Sequence, residues 1–350
     1  LEEHIMQLNQ MNAMRYVTPF KSEVEECIHQ YNEVSDTIEK WLKVQVLWNS
    51  LVSVFKGGDI ARNMPTEAKK FAKLDKDWLK LMERANEQRN VIQCCTNDML
   101  KSMLGPLQED LEFCQKKLEN YLESKRKLFP RFYFVSNTVL LKILSQGSDP
   151  NSVQEDFEKL FDAITRVEFD EQDRRKIVSI MQCVGDDTET IVLANGVKAE
   201  GNIESWLLEL QNEMQRSVKE VCRDASRDCF AMDLGEFVKY QSQIALLGIQ
   251  MLWTQKVQES LEKNTKEKNS TDMEKKRKEI AQILERLSGM CLDKDHTRIS
   301  RTKIETLVTI HVHQKDLFEE IQAEVKTQKI KDANDFDWTK NTRIAWKQEE

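Results

Sequence analysis

The sequence predicts an all-α protein: an elongated rod of antiparallel helical bundles in series, with one small β-hairpin insert. Apolar residues recur at helical spacing along most of the 350 residues. Only ten glycines and five prolines interrupt them, which favours long helices. One stretch, from Ile177 to Ala199, is rich in β-forming residues and contains Asn195-Gly196, a dipeptide typical of a two-residue hairpin turn.

The composition argues against several classes of function. The chain carries 52 basic and 60 acidic residues, intermixed, for a formal net charge of −8, whereas nucleic-acid binding needs a clustered basic surface. No apolar run approaches the roughly 18 residues of a membrane-spanning helix. We therefore expect neither nucleic acid nor a membrane as a partner. Because the chain begins at Leu1 rather than Met, we expect it to be a fragment of a longer protein.

The eight cysteines follow no framework spacing, which indicates free thiols in a reducing compartment. The adjacent pair Cys94-Cys95 is predicted in a loop-like segment. No nearby histidine or second cysteine pair completes a metal site there.

The clearest helical periodicity runs from Glu23 to Phe55. An a/d seam over more than four heptads predicts a helix about 50 Å long that packs along a neighbour. One heptad position holds Val24, Tyr31, Ile38, Gln45 and Val52, and the position three residues later holds Cys27, Val34, Trp41, Trp48 and Phe55. Gly57-Gly58 is expected to end this helix.

Two more helices are predicted before residue 130. The first has Pro65 in its opening turn, and the second ends near Phe129, because Pro130 disfavours helix at the residue before it. Their inward faces carry Phe71, Leu74, Trp78 and Leu81, and then Leu107, Leu111, Cys114, Leu118 and Tyr121.

An aromatic segment follows the second of these helices, and an exposed cluster of its size would be a liability. We expect it to form a structural junction buried between helical subdomains. Its residues are Phe129, Pro130, Arg131, Phe132, Tyr133 and Phe134.

Helix caps organise the residues after this junction. Ser136 is predicted to cap a helix from Val139 to Leu144 that Gly147 closes, and Asp149 to cap the next. Asn202 and Asp233 are predicted to cap two later helices. The helices predicted after Asp149, Asn202 and Asp233 have these inward residues, in that order: Val153, Phe157 and Leu160; Trp206, Leu210, Met214 and Val221; and Phe237, Ile244, Met251 and Leu261.

Several segments resemble the linker region of the dynein heavy-chain family. Phe-Pro-Arg-Phe-Tyr-Phe-Val-Ser from Phe129, followed by Leu-Leu-Lys-Ile-Leu from Leu140, is similar to that family's signature. The resemblance covers the chain from about Met11 to Trp346. Its other matching segments are Trp41-Leu-Lys-Val-Gln-Val-Leu-Trp48, Asn202-Ile-Glu-Ser-Trp-Leu207, Gln250-Met-Leu-Trp-Thr254 and the stretch from Phe336 to Trp346.

The resemblance implies a mechanical lever that bends and straightens over an AAA+ ring, producing the power stroke of a minus-end-directed microtubule motor. The implied partners are the ring of the same heavy chain and, through the N-terminal side, the tail and other dynein subunits. Microtubules are contacted only indirectly. ATP and Mg²⁺ are implied for the parent motor, but this chain has no Gly-x-x-x-x-Gly-Lys-Ser/Thr loop. We therefore expect no cofactor and no enzymatic activity in the chain itself.

We expect three parts: an N-terminal helical bundle over residues 1–130, a junction and hairpin subdomain over 131–201, and a C-terminal bundle over 202–350. In the resemblance, the hairpin reaches toward the ring while the lever moves. Glycines at element ends absorb backbone changes at little steric cost, which suggests a hinge beside the hairpin. The residues predicted to contact the ring are Thr190, Val192, Asn195, Gly196 and Val197, and the hinge residues are Gly185, Gly201, Asn202 and Trp206.

The segment from His311 to Asp316 resembles the family's Glu-Val-His-Ala-Arg-Asp, with His313 and Asp316 matching. Its departures at His311, Gln314 and Lys315 favour an axonemal heavy chain, of a cilium or flagellum, over the cytoplasmic one. Two histidines two residues apart on a helix point away from each other, so we expect no joint metal site.

The alternative function is a static spectrin-like scaffold or tether. The long seam from Glu23 to Phe55 fits that class equally well. A scaffold built of repeats would show self-similarity at a fixed period, which the sequence lacks, and it has no need of a lone hairpin.

Overall fold

Long helices form most of the protein, and they accompany one small antiparallel sheet in the order β1-β2-β3. The computed structural model describes residues 1–56, 59–146, 149–267, 271–293 and 296–347. The predicted fold class, helical with a small β insert, is confirmed. Within these ranges, no helix is long and apolar enough to cross a membrane.

The helices are α1 (Glu2–Asn12), α2 (Lys21–Phe55), α3 (Asp59–Asn63), α4 (Pro65–Glu87), α5 (Val91–Cys95), α6 (Asp98–Leu128), α7 (Asn137–Ser145), α8 (Pro150–Val153), α9 (Phe157–Leu160), α10 (Ile203–Ala231), α11 (Leu234–Phe237), α12 (Ser242–Glu267), α13 (Thr271–Cys291), α14 (Arg298–Lys326) and α15 (Phe336–Thr339). The strands are β1 (Arg166–Phe169), β2 (Lys176–Val184) and β3 (Asp187–Lys198).

The chain divides into two units. The first comprises residues 1–160 with 201–205, and the second comprises 161–200 with 206–350. The aromatic segment belongs to the first unit and the sheet to the second, while the three-part division at residues 130 and 201 stays a prediction.

In the first unit, α2 packs against α4 and α6, as its length and apolar face led us to expect. The predicted inward faces of α4 and α6 are confirmed, and a proline-directed end of α6 at Phe129 is found where predicted. The core they enclose contains Val44, Leu51, Phe71, Leu74, Trp78, Leu81, Leu104, Leu107, Leu111 and Cys114.

The buried face of α2 differs from the predicted seam. Thr37, Val44 and Leu51 are buried, whereas Gln45 and Val52 are only half-buried. The predicted seam positions from Val34 to Phe55, at every seventh residue, are buried or half-buried as expected. The second row of the buried face lies three residues after each of them in the chain, whereas the predicted row lay three residues before. A helix that contacts both α4 and α6 needs a broader apolar stripe than a two-stranded seam, and that stripe is centred differently.

Two other local predictions are corrected. Cys94 and Cys95 are not in a loop: they end α5, whose N-cap Asn90 accepts a hydrogen bond from the backbone N–H of Gln93. The single helix predicted after Asp149 is split by a 3₁₀ turn at Gln154–Asp156, although its inward residues are buried as predicted.

The predicted caps at Ser136, Asp149 and Asp233 are confirmed, since each side chain accepts a backbone N–H two or three residues on. The helix after Asp233 is interrupted, however, because α11 ends at Phe237 and α12 begins only at Ser242. The predicted helix ends at Gly57-Gly58 and Gly147 lie outside the described residues.

All eight cysteines are free thiols. Cys94, Cys95, Cys114 and Cys229 are buried. Burial raises the pKa of Cys229 to about 11, which keeps this thiol protonated and unreactive at neutral pH.

In the second unit, α12, α13 and α14 pack against one another. The ring centroids of Trp253 and Trp338 lie 5.7 Å apart in one apolar core. Trp253 donates its N–H to the carbonyl of Gln314, at 3.0 Å, and Trp338 donates to the side chain of Gln258, at 2.9 Å. Both buried indole donors are therefore satisfied.

The β insert has three strands rather than the two of a lone hairpin, and its turn lies elsewhere than predicted. The turn falls at Gly185-Asp186, where Gly185 has a φ of +65°. Asn195 and Gly196 instead lie inside β3. Four residues of β3, from 193 to 196, face the single residue Val178 of β2, so the strand bulges.

Gly196 lies in the bulge rather than in a turn, and the side chain of Lys176 packs closely against it. A Cβ at this position would require the flexible side chain of Lys176, on the neighbouring strand, to move. The Asn195-Gly196 dipeptide therefore lies at a bulge rather than at a turn. Glycine is favoured at bulges inside strands as well as at turns.

Candidate functional site

Two carboxylates of β3 attach the sheet to helices of the second unit. Asp187 and Glu189 are two residues apart, so their side chains leave the strand on one face. Asp187 accepts a hydrogen bond from the backbone N–H of Ile299, in the first turn of α14, at 2.7 Å. Glu189 accepts from the backbone N–H and hydroxyl of Ser242, at the start of α12, at 3.1 and 2.7 Å. Each carboxylate satisfies a helix N-terminal N–H and faces the positive end of the helix dipole.

A buried ammonium completes this attachment. Lys303 Nζ lies 2.9 Å from the carboxylate of Glu189. It also donates to the carbonyls of Tyr240, at 2.7 Å, and Val238, at 3.3 Å. These three contacts match its three N–H donors. The side chains of Lys303 and Glu189 are only 6% and 14% exposed, so loss of one would leave the other charge poorly solvated. We call Asp187, Glu189 and Lys303 the sheet anchor.

The surroundings favour the ionised form of both carboxylates. Burial alone would raise the pKa of Glu189, but hydrogen bonds from Lys303 and Ser242 outweigh burial and lower that pKa. The pKa of Asp187 is lowered chiefly by a hydrogen bond from the side chain of Thr297 and then by the N–H of Ile299. Asp187 and Glu189 are therefore both ionised at neutral pH.

The outer edge of β3 is covered by α10 and by the residue before α12. The backbone N–H of Ala194 donates to the hydroxyl of Ser217, at 2.9 Å, and that of Asn195 to Glu213, at 2.7 Å. Gln241 donates to the carbonyl of Thr190, at 2.8 Å. These contacts occupy polar groups that an open edge strand would offer to another chain. They also attach the sheet to α10 in addition to α12 and α14.

The five residues predicted to contact a ring all lie on β3, but they do not form one surface. Val197 is 2% exposed and belongs to the core, whereas Val192 is 72% exposed. Asn195 and Gly196 are also exposed, and Thr190 is half-buried. The exposed part of the strand is therefore Val192 with the bulge.

The predicted hinge residues fall in two places. Gly185 forms the turn between β2 and β3, two residues from Asp187 of the sheet anchor. Gly201, with a φ of +78°, immediately precedes Asn202, whose carbonyl accepts the N–H of Ser205 at 3.0 Å as α10 begins. Trp206, in the first turn of α10, is 1% exposed.

The aromatic segment is only partly the buried junction that we predicted. Phe129 and Phe132 are fully buried, with their rings edge to face and their centroids 5.0 Å apart. Tyr133 and Phe134, in contrast, are 54% and 75% exposed. The 3₁₀ turn of Pro130–Phe134 explains the difference. Residues three apart lie on the same side of such a turn, so Phe129 and Phe132 share the buried side, whereas the two residues that follow Phe132 lie on other sides.

Arg126 and Glu123 fix this turn in place. The guanidinium of Arg126 donates to the side chain of Asn137, at 2.7 Å, and to the carbonyl of Val135, at 3.4 Å. The hydroxyl of Tyr133 donates to Glu123 at 2.7 Å. The segment is therefore a structured corner between α6 and α7 whose outer aromatic rings face solvent.

His311 and His313 lie in different surroundings on α14. His311 is buried, with Nε2 3.0 Å from the carbonyl of Ile280 and Nδ1 3.1 Å from the side-chain amide of Gln314. His313 is exposed. Among the described residues, no group of three or more His, Cys, Asp or Glu side chains could hold a metal ion.

The sheet anchor was not predicted from the sequence. Two signals were present: acidic residues at alternate positions of a strand, and a lysine at an inward position of a helix. Lys303 shares the buried face of α14 with Leu307 and His311 at helical spacing. A cation in that register indicates a buried partner, but the sequence does not say that the partner is Glu189.

Comparison with known proteins finds extensive similarity. The family model described as "Dynein heavy chain, N-terminal region 2" matches residues 1–225. The chain is 41% identical over its whole length to "Dynein axonemal heavy chain 8" of Homo sapiens and 40% identical to "Dynein axonemal heavy chain 5" of Rattus norvegicus. It is 39% identical, over 99% of its length, to "Dynein gamma chain, flagellar outer arm" of Chlamydomonas reinhardtii. The chain spans 8%, 10% and 8% of these three proteins.

Proposed function

The chain belongs to the dynein heavy-chain family, in the N-terminal region of an axonemal heavy chain, and from this premise we propose that it is the motor's mechanical linker. In this proposal the chain is a lever that bends and straightens over the AAA+ ring of the same heavy chain. The movement produces the power stroke of a minus-end-directed microtubule motor. Its axonemal relatives assign the chain to the axoneme.

The sheet anchor is the observation that carries this proposal. A lever transmits force only if its segments are stiff. In the second unit, Asp187 and Glu189 attach the sheet to the starts of α14 and α12, and Lys303 is buried beside them. A sheet attached in this way moves with its helices, so a contact made on β3 acts on the unit as a whole.

We place the bend where the chain passes from one unit to the other. These passages lie between residues 160 and 161, 200 and 201, and 205 and 206. Gly201 stands at one of them, in a positive-φ conformation that glycine adopts without strain. The proposed hinge is therefore Gly201, Asn202 and the first turn of α10 up to Trp206. Gly185 lies within the anchored sheet, where its role is to form the turn.

The proposed ring contact is the exposed part of β3, at Val192, Asn195 and Gly196. Such a contact favours one state of the lever only by its differential affinity for the two states. We place ATP and Mg²⁺ binding, and hydrolysis, in other parts of the heavy chain, because this sequence has no phosphate-binding loop. The tail and other dynein subunits are proposed to connect through the N-terminal side, and microtubules only indirectly.

Substitution of Glu189 in a complete heavy chain tests the lever. Glu189→Gln weakens the sheet anchor without touching any nucleotide site. We expect microtubule gliding velocity to fall severalfold while ATP turnover stays within about twofold. A less rigid lever transmits less of the conformational change to the microtubule, although the nucleotide site is unaltered. Glu236→Gln, which removes an exposed carboxylate of the same unit, is the matched control and leaves both rates unchanged. Asp187→Asn provides a second, independent variant.

The outcomes separate the two function classes. The lever would be contradicted if gliding velocity and ATP turnover fell in proportion in both anchor variants, while limited proteolysis showed that the heavy chain is still folded. Unchanged gliding in both would favour the static scaffold or tether instead. ATP turnover by the purified 350-residue chain itself is expected to stay at background.

A further inference from the structure

A groove of about 990 Å³ runs along the second unit, between the segment 339–347 and helices α10 and α12. We call it the C-terminal groove. It shares no lining residue with the sheet anchor and is not part of the proposed lever contacts. The residues that give it chemical character are Arg227, Phe230, Arg343, Trp346 and Lys347.

The segment that forms one wall of this groove is held in place. The backbone N–H of Ile344 donates to the hydroxyl of Thr254 on α12, at 3.1 Å. Ile344 and Trp346 are half-buried against the core of α10, α12 and α14. Trp338, immediately before the segment, donates its indole N–H to Gln258. The groove is thus preformed, and a ligand need not order it.

The described side chains that line the groove include three cations and no carboxylate. The guanidinium carbon of Arg343 lies over the ring of Trp338, 5.8 Å from its centroid. Within the part of the chain that the structure describes, no carboxylate lies within 4.0 Å of Arg343 or Lys347. Arg227, a third cation of the lining, is paired with Asp224. Two cations therefore line the groove without a described counterion.

Aromatic surface adjoins these cations. Phe230, in the last turn of α10, is 46% exposed, and Trp346 is half-buried. Cationic groups beside exposed rings suit a ligand that carries both negative charge and an apolar or aromatic group. Aromatic residues and arginine are also the residue types enriched in the energetic centres of protein interfaces.

Peptide carboxylates fit this groove better than the phosphates of a nucleotide. Phosphate sites use helix N-termini or glycine-rich loops, whose N–H groups point at the anion. Here the helix wall is the C-terminal turn of α10, which presents carbonyl oxygens and the negative end of the helix dipole. Charge attraction must then come from side chains alone, and the bidentate fork of Arg343 matches a carboxylate.

We propose that the C-terminal groove binds an acidic peptide segment with an aromatic side chain, supplied by a partner polypeptide. Carboxylates of the segment pair with Arg343 and Lys347, and its ring packs against Phe230 and Trp346. This interaction goes beyond the lever: it neither requires bending of the chain nor contributes to it.

Fluorescence anisotropy of a labelled hexapeptide tests the proposal. The probe is acetyl-Glu-Glu-Phe-Glu-Glu-Leu-amide, titrated with the 350-residue chain. We expect saturable binding that Arg343→Gln weakens about tenfold, as expected for loss of one charge-assisted pair. Phe230→Ala should weaken it severalfold. The matched controls are Arg301→Gln and Phe336→Ala, an exposed arginine and an exposed phenylalanine of the same unit outside the groove; both should bind within about twofold of the unaltered chain.

Three results would overturn the proposal. The first is no saturable binding of the acidic peptide up to about 1 mM, or equal binding of its lysine-substituted counterpart. The second is binding of ATP without binding of the peptide, which would make the groove a phosphate site. The third is a more than threefold gain in peptide affinity when Glu349 and Glu350 are both changed to Gln, which would mean that the chain's own acidic residues occupy the groove. Unchanged thermal unfolding of each variant excludes misfolding as the cause.

Discussion

At the scale of single residues, Glu189 has the largest structural consequence of any side chain in the candidate site. Its carboxylate joins a strand to the start of α12 and to the buried ammonium of Lys303. Because Lys303 also donates to Val238 and Tyr240, one ion pair links the sheet, the connection before α12, and α14. The partners are far apart in sequence, so only the fold brings them together.

We predict that Glu189→Gln lowers the free energy of unfolding of the chain by about 3 kcal/mol, because it leaves Lys303 buried without its counterion. The exposed pair of Glu236 and Lys239 provides the control, and Glu236→Gln should cost less than about 0.5 kcal/mol. Denaturant unfolding of both variants measures the difference. Equal, small losses would show that the ion pair is not a structural anchor.

The same carboxylate gives stability a dependence on acidic pH. Its pKa is lowered from 4.5 in the folded state, so the unfolded chain binds the proton first as the pH falls. Its contribution is therefore complete above about 4.5 and is lost as the pH drops through the lower, folded-state pKa. The Glu189→Gln variant should lack this part of the acid-induced loss.

His311 should destabilise the fold at a higher pH. Burial lowers its pKa from 6.5, more than the hydrogen bonds to Ile280 and Gln314 raise it. The unfolded chain therefore takes up the proton first, and stability declines as the pH falls from about 6.5 through the folded-state pKa. Denaturant unfolding between pH 7.5 and pH 5.5, in steps of about half a unit, measures the slope. We predict a shallower slope for His311→Gln and an unchanged slope for the exposed His313→Gln; the reverse order would contradict this assignment.

Local residue signals were readable from the sequence, and distant ones were not. The caps at Ser136, Asp149 and Asp233 were predicted because a cap bonds a backbone N–H only two or three residues away. The pairing of Glu189 with Lys303 depends on how a strand docks on a helix 114 residues later. No periodicity encodes that contact.

At the scale of elements, α2 shows what helical periodicity determines. The existence and length of the helix were predicted, because apolar residues recur over more than nine turns. Its buried face was predicted wrongly in part, since the seam assumed one neighbour and the helix packs on both α4 and α6. Heptad spacing alone cannot tell how many neighbours a helix has.

Paired valine substitutions in α2 test the observed face. Val44 is 0% exposed in the core, whereas Val52, a position of the predicted seam, is half-buried. We predict that Val44→Ala lowers the free energy of unfolding by about 2 kcal/mol and Val52→Ala by less than about 1 kcal/mol, because the cost follows the buried volume removed. Denaturant unfolding compares the two variants. A larger loss for Val52→Ala would restore the predicted seam.

The sheet shows that a dipeptide typical of turns does not by itself fix the position of a turn. Asn-Gly indicates positions where glycine is favoured, and both a turn and a bulge are such positions. The β-forming composition did locate β2 and β3, although not β1. The true turn, at Gly185-Asp186, carries a weaker pattern, so the choice between the two required the pairing of β2 with β3.

At the scale of the whole molecule, the chain comprises two units with separate apolar cores. The sheet anchor makes the sheet part of the second unit, and the passages between units concentrate near Gly201 and α10. The lever proposal therefore makes two statements: each unit keeps its internal distances, and the distance between units changes with the nucleotide state of the motor.

The most direct test uses pairs of spin labels in the complete motor. Lys116 on α6 and Lys326 on α14 are exposed and belong to different units, while Lys198 on β3 and Lys326 lie in one unit. We predict two distance populations between positions 116 and 326 that exchange with nucleotide, and one unchanging distance between positions 198 and 326. A single distance between positions 116 and 326 in every nucleotide state would contradict the lever and leave the static scaffold as the better account.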